Sequence, residues 1–278
     1  MSIPPAIAQD TYRYLRVMLV TLPVLLLVGS ALAFFWLGAI ETSISAYYLG
    51  PIRDLFVGVM LATAACMVVY KGTSVLEDYS LNVAGFCGVF VALVPTALGT
   101  TLEGLDPELR AEVVAALRVS AVAVLLVSAL YVAADVRTGL TSPRALSRNP
   151  LTRVLLWVTT ASLLGFVGLV VWRVVEGTTF AGVHLVAAVL LVASLAMAVS
   201  SHAWPESTDS ERTAEDPRGR DHRSAYRVIF WLMAAGAPLF ALMLLVGWDY
   251  AVIAIEWYEI GLFIAFWVME TRRTWAFR

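Results

Sequence analysis

The chain has 278 residues, 60% of them hydrophobic and 14% charged, against about 45 to 50% apolar and about 25% charged in an ordinary soluble domain. Such an excess, with a mean hydropathy of +0.81 spread over long uncharged runs, excludes a single soluble core and predicts a polytopic membrane protein whose first partner is the lipid bilayer. A net charge of -2 from 19 basic and 21 acidic side chains leaves no basic surface to displace counterions from a polyanion, which excludes nucleic acid as the main partner.

At about 20 residues per span, the apolar runs predict eight transmembrane helices near 15–38, 53–70, 82–99, 113–134, 151–172, 179–200, 226–247 and 250–269. Only the stretch from Gly247 to Tyr250 parts the last two, so a seven-helix bundle stays open. The expected fold is therefore an all-α membrane bundle forming one domain over residues 1–278. Arg13, Arg16 and the small residues Ala31-Leu32-Ala33 imitate a secretory signal. The apolar run carries on to Ile40, however, so the first span reads as a retained helix.

Orientation follows from the basic flanks, which favour the cytoplasm. With the N-terminus inside, fifteen Lys and Arg flank the inner side and three, Arg53, Arg110 and Arg173, the outer side. Both termini are thus expected in the cytoplasm and the chain in an inner (plasma) membrane. Ser201 to Arg223, with six acidic and four basic residues and two prolines, has almost nothing to bury and is expected to be a disordered cytoplasmic loop. Asn149-Pro150 and Asp106-Pro107 read as helix caps followed by proline in the first turn. Ser74 to Glu77 has capping-box spacing. Trp36, Trp172 and Trp248, about twenty residues after three basic helix starts, form an aromatic belt and not an internal repeat. Cys66 and Cys87 lie in apolar runs and read as packing residues.

Ionisable groups inside a bilayer call for a partner or a purpose. Counted at 1.5 Å per residue, Arg118, His184 and Glu256 share one depth on the fourth, sixth and eighth helices. Glu259 follows Glu256 by one turn on the same helix face. An Arg118–Glu256 ion pair is expected to fix packing, with His184 donating to a backbone carbonyl. One arginine does not neutralise two carboxylates, so a proton, a cation or His184 must serve the second. Asp54 starts the second helix, where a carboxylate also suits the helix dipole. Ser43, Ser45 and Tyr47, in the connection from Glu41 to Pro51, suit a headgroup-level cap over the same space. Pro23, Pro95 and Pro238 each free a backbone carbonyl that neighbours must satisfy.

Ser43-Ile44-Ser45-Ala46-Tyr47-Tyr48, Arg53-Asp54-Leu55-Phe56-Val57-Gly58, Tyr70-Lys71-Gly72, Asn82-Val83-Ala84-Gly85 and Val94-Pro95-Thr96, with His184, Glu256 and Phe266-Trp267 later, resemble bacterial multi-pass proteins of the DUF998 and Frag1/DRAM/Sfk1 type. The resemblance implies the same helical architecture and no particular reaction. Compared with membrane hydrolases of the alkaline ceramidase and adiponectin receptor kind, the chain lacks paired histidines, because His202 and His222 fall in the expected loop. A three-histidine zinc site is excluded, and a mixed site of His184, Glu256 and Asp54 stays open.

Three functions are left. The leading one is binding or passage of a small polar or lipid-headgroup ligand in an outward-facing polar cavity, with Glu256 and Glu259 as proton or cation acceptors, Arg118 as an anion partner and His184 as a titrating group. The others are a lipid-modifying hydrolase and a structural subunit. No cofactor is expected.

Overall fold

The computed structural model describes residues 5–38, 41–50, 52–96, 98–138, 150–205 and 221–275. Its elements are α1 (Pro5–Leu37), a 3-10 turn (Ile44–Leu49), α2 (Arg53–Val69), α3 (Val75–Leu93), the short α4 (Leu98–Glu103), α5 (Pro107–Thr138), α6 (Pro150–Glu176), α7 (Val183–Ala203), α8 (Arg223–Leu245) and α9 (Ala251–Trp275). Each of the eight apolar runs lies on a helix, and the described residues contain no sheet. Among the described residues seven stretches (α1, α3 continued by α4, and α5 to α9) are long and apolar enough to cross a membrane. At 17 residues α2 is shorter, about 25 Å, near the lower limit for a span. The protein is a multi-pass helical membrane protein.

Local chemistry sets several boundaries. Ser74 caps α3, its hydroxyl accepting from the Glu77 amide at 3.1 Å. Asp106 caps α5, accepting from the Leu109 amide at 3.0 Å, with Pro107 first in the helix. The third span was expected over 82–99, but α3 begins seven residues earlier at its cap and ends at Leu93, because the residue before Pro95 is pushed out of the helical region.

Contacts between helix ends define two ends of the bundle. Arg16 near the start of α1 reaches Tyr70 after α2, Tyr70 packs against Trp267 late in α9, and His202 late in α7 meets Glu77 early in α3. The start of α1 and the end of α9 therefore share one end, called here the terminal end. The distal end carries the α1–α2 connection and the start of α9, joined by the Ile253 amide donating to the Thr42 carbonyl at 3.0 Å.

Three apolar clusters fill the interior. One joins α3, α5, α6 and α7 around Phe90, Phe166 and Phe180. A second lies at the terminal end around Tyr70, Tyr226, Phe266 and Trp267. The third, around Leu26, Tyr47, Phe56 and Ile253, seats the 3-10 turn on α1, α2 and α9. In α5 the buried residues are Val114, Leu117 and Ala121, so its second half turns Val127, Leu130 and Val132 outward, as lipid permits. Trp36, Trp172 and Trp248 are exposed, consistent with the belt.

The expected loop from Ser201 to Arg223 is corrected at both ends. Ser201, His202 and Ala203 complete α7 and Arg223 opens α8; residues 206–220 lie outside the described residues, as does Asn149. An apolar-run count stops where polar residues begin, but here the partners of those residues wait on other helices.

Candidate functional site

Near the distal end α1, the 3-10 turn, α2, α7, α8 and α9 leave a space of about 150 Å³, partly open to the outside of the bundle. Most of its wall is apolar, from Leu26, Phe56, Met60, Met233 and Phe263; Ser45, Thr63, His184, Glu256 and Glu259 add the polar groups. The expected cavity is polar, whereas this one carries its polar groups on a mainly apolar wall. Helix faces that pack in a bilayer are predominantly apolar, so a few placed polar groups are what such a space carries.

Glu256 is held by the α1–α2 connection. Ser43 donates its hydroxyl to one carboxylate oxygen at 2.7 Å, and the Ile44 amide donates to the other at 2.6 Å. Ser43 also caps the 3-10 turn, accepting from the Ser45 amide at 3.1 Å, and its hydroxyl lies 2.7 Å from that of Ser45. One carboxylate on α9 thus binds the first residues of the turn, which explains why Ser43 and Ser45 are both nearly fully buried. Tyr47 packs behind them in the third cluster, where burial holds its phenol above the ordinary value.

His184, at the start of α7, sets Nδ1 2.6 Å from the Val94 carbonyl. A carbonyl only accepts, so Nδ1 carries the proton. That carbonyl lies just beyond α3, next to Pro95, and His184 satisfies it as expected.

Glu259 faces α8 at Gly236. A Cβ at position 236 would overlap the Glu259 carboxylate, so glycine there makes the room that the acid occupies. Glu259 Oε2 and the hydroxyl of Thr63 are both buried and have no hydrogen-bond partner among the described residues.

Arg118 is not part of this arrangement, and the expected Arg118–Glu256 pair is corrected. The Arg118 guanidinium lies over Gly177, whose Cβ would stand 3.1 Å from it, directly after the C-terminus of α6. A cation there meets the partial negative charge of the helix end, while Glu256 has its donors in Ser43 and Ile44. Depth alone was the reason for pairing them, and depth does not say which way a helix faces. Asp54 also stands apart: its side chain is 99% exposed, 3.8 Å from Arg53, in the first turn of α2 where the dipole favours it. Ser43, Ser45, His184, Glu256 and Glu259 are therefore brought together, and Arg118 and Asp54 are not. Among the described residues no group of His, Cys, Asp and Glu is placed to hold a metal ion.

Sequence reasoning missed a second polar cluster at the terminal end. Glu77, His202 and Glu270 are fully buried and Arg273 nearly so. His202 Nε2 lies 3.0 Å from Glu77 and Nδ1 lies 3.3 Å from Glu270. Arg273 donates to both oxygens of Glu270, at 3.2 Å and 2.9 Å, and the Tyr226 hydroxyl donates to the same carboxylate. Thr73 donates its amide and hydroxyl to Glu77 at 2.6 and 2.9 Å. Four helices, α3, α7, α8 and α9, meet in this cluster. Both ring nitrogens of His202 thus face carboxylates, and the Arg273 guanidinium pairs with Glu270. The signal was present in the sequence: each of these residues lies within about two turns of the end of a long apolar helix. Counted as a flank, Arg273 looked solvated.

No protein-family model, curated protein or solved structure matches this chain.

Proposed function

We propose that this membrane protein binds or passes a small polar ligand or lipid headgroup in the distal space. The observation that carries this is Glu259: its carboxylate stands in the wall with one oxygen buried and unpartnered among the described residues. An intramembrane acid left this way is expensive, and an occupant of the space would satisfy it. The largely apolar wall favours a headgroup with carbon attached over a fully hydrated solute. The basic flanks support placing both termini in the cytoplasm and the distal space toward the outside. On the same reading the chain is a relative of the DUF998 and Frag1/DRAM/Sfk1 type. A hydrolase gains no specific support, because Asp54 does not share the space with His184 and Glu256.

The test is retention of a molecule through purification. Mass spectrometry of solvent extracts should find a lipid or small metabolite with the wild type. It should be absent from Ala188→Phe, which fills the wall of the space, when the two proteins melt alike. Equal retention, or none in either, would overturn the reading. A reporter fused after Arg278 that is active only outside the cell would overturn the orientation.

A further inference from the structure

We infer that the occupant of the distal space is an amphiphile with a cationic, ammonium-type head, an inference that rests on the binding reading above.

Charge comes first. Among the described residues the wall contains two carboxylates and neither lysine nor arginine. Its histidine already donates to Val94. Glu256 has a donor on each oxygen, whereas Glu259 Oε2 has none among the described residues. Glu259 is therefore completed either by a proton or by a positive or donor group that arrives with the ligand, and the second is the state the space is built to receive. Thr63 is a second, independent pointer. It lies on α2, is 8% exposed, lines the space and leaves its hydroxyl oxygen unpartnered among the described residues. A buried hydroxyl without a partner is rare unless a water or ligand completes it.

The walls then choose between a bare ion and an organic one. A hard cation such as calcium takes about 6 to 8 oxygen ligands, and here the uncommitted oxygens are few, set among Leu26, Phe56, Val59, Met60, Met67, Met233 and Phe263. An alkylammonium needs one carboxylate for its charge and apolar surface for its carbons, and the faces of Phe56 and Phe263 attract cations. Size agrees: an apolar cavity of about 150 Å³ accepts a molecule of about the bulk of benzene. That matches an ammonium head and its first carbons, the rest of the chain leaving by the open side. Gly236 fits the same scheme as a positioning residue, since a methyl group there would turn the Glu259 carboxylate aside.

The experiment is calorimetric titration of the full chain in dodecyl maltoside with hexyltrimethylammonium, hexanol, hexanoate and sodium chloride. The wild type should bind the ammonium at least about tenfold more tightly than the alcohol or the acid, and Glu259→Gln should lose about tenfold, the scale of one close charge pair. Gly236→Ala should weaken the ammonium alone while the melting curve is kept, which separates site geometry from folding. Hexanol bound as well as the ammonium, and unchanged in Glu259→Gln, would overturn the cationic class and leave the binding reading standing. Ammonium binding unchanged in Glu259→Gln or retained in Ala188→Phe would overturn the assignment of the site. Stabilisation by sodium that depends on Glu259, with no organic ligand bound, would replace the amphiphile with a bare ion. Failure of all four probes, together with no co-purified molecule, would remove the binding reading itself.

Discussion

Each end of this bundle draws two glutamates inward, fully buried at the terminal end and half-buried at the distal end, and they are treated oppositely. At the terminal end Glu77 and Glu270 meet an imidazole, a guanidinium, a tyrosine hydroxyl and the donors of Thr73. At the distal end neither arginine nor lysine lines the space among the described residues; Glu256 has two neutral donors and Glu259 keeps a buried oxygen without a partner there. Buried carboxylates that face cationic partners rigidify and specify packing, whereas one that faces none leaves its charge for an occupant or a proton to answer. The terminal end therefore reads as the clasp of four helices, and the distal end as the place where the chain leaves chemistry unfinished.

The sharpest way to break this comparison is to unpair the clasp. Glu270→Gln leaves Arg273 and His202 facing a neutral amide in a buried site, and removing one partner of a buried ion pair costs about 3 to 5 kcal/mol. Thermal unfolding in detergent should show a large loss for Glu270→Gln and for His202→Ala. Melting within error of the wild type in both would mean that the clasp does not hold the helices together.

Glu256→Gln should come next. The amide oxygen accepts from Ile44 and the NH2 donates to Ser43, whose hydroxyl turns to Ser45, so two charge-assisted bonds become neutral ones at about 1 to 3 kcal/mol together. The damage should be local, with faster amide exchange over Ser43 to Tyr47 while the clasp keeps its protection. Uniform loosening of the whole bundle would show that Glu256 acts on folding at large. Smaller again is Tyr226→Phe, which removes one donor from Glu270 and leaves its guanidinium in place. A hydrogen bond to a charged group contributes about 1.5 to 3 kcal/mol, and the remaining donors place the loss at the lower end.

The same comparison explains what could be read from sequence. Helix positions were legible because apolar length is a property of the chain alone, and the caps at Ser74 and Asp106 because capping is local. Ser43 and Ser45 were picked out as a cap over a shared space, and His184 as a donor to a carbonyl. Which helix faces which is not local, and that is where the expectation failed. Arg118 and Glu256 share a depth but belong to different neighbourhoods. The clasp was hidden for a related reason: Glu77, His202, Glu270 and Arg273 sit at helix ends, where a charge is ordinarily wetted. Only their convergence from separate helices makes them interior.

The smallest effects on folding are expected at Arg118 and Glu259, and their pattern tests the distal end. Arg118→Gln removes a cation over the C-terminus of α6, a favourable interaction of about 0.3 to 1 kcal/mol at an exposed site, and should leave the exchange of Ser43 to Tyr47 unchanged. Glu259→Gln should not lower stability. Among the described residues its free oxygen makes no bond to lose, and replacing an acid that lacks a cation by a neutral amide of the same shape relieves a burial penalty. Melting temperature should therefore hold or rise while ligand binding falls. Neither mutation should change the effect of the other, because the two side chains do not touch and distant sites add. A double mutant less stable than the sum of the single losses would restore the coupling between Arg118 and the carboxylates. A marked drop for Glu259→Gln alone would mean that Glu259 is a packing acid like Glu270, and the contrast between the two ends would collapse.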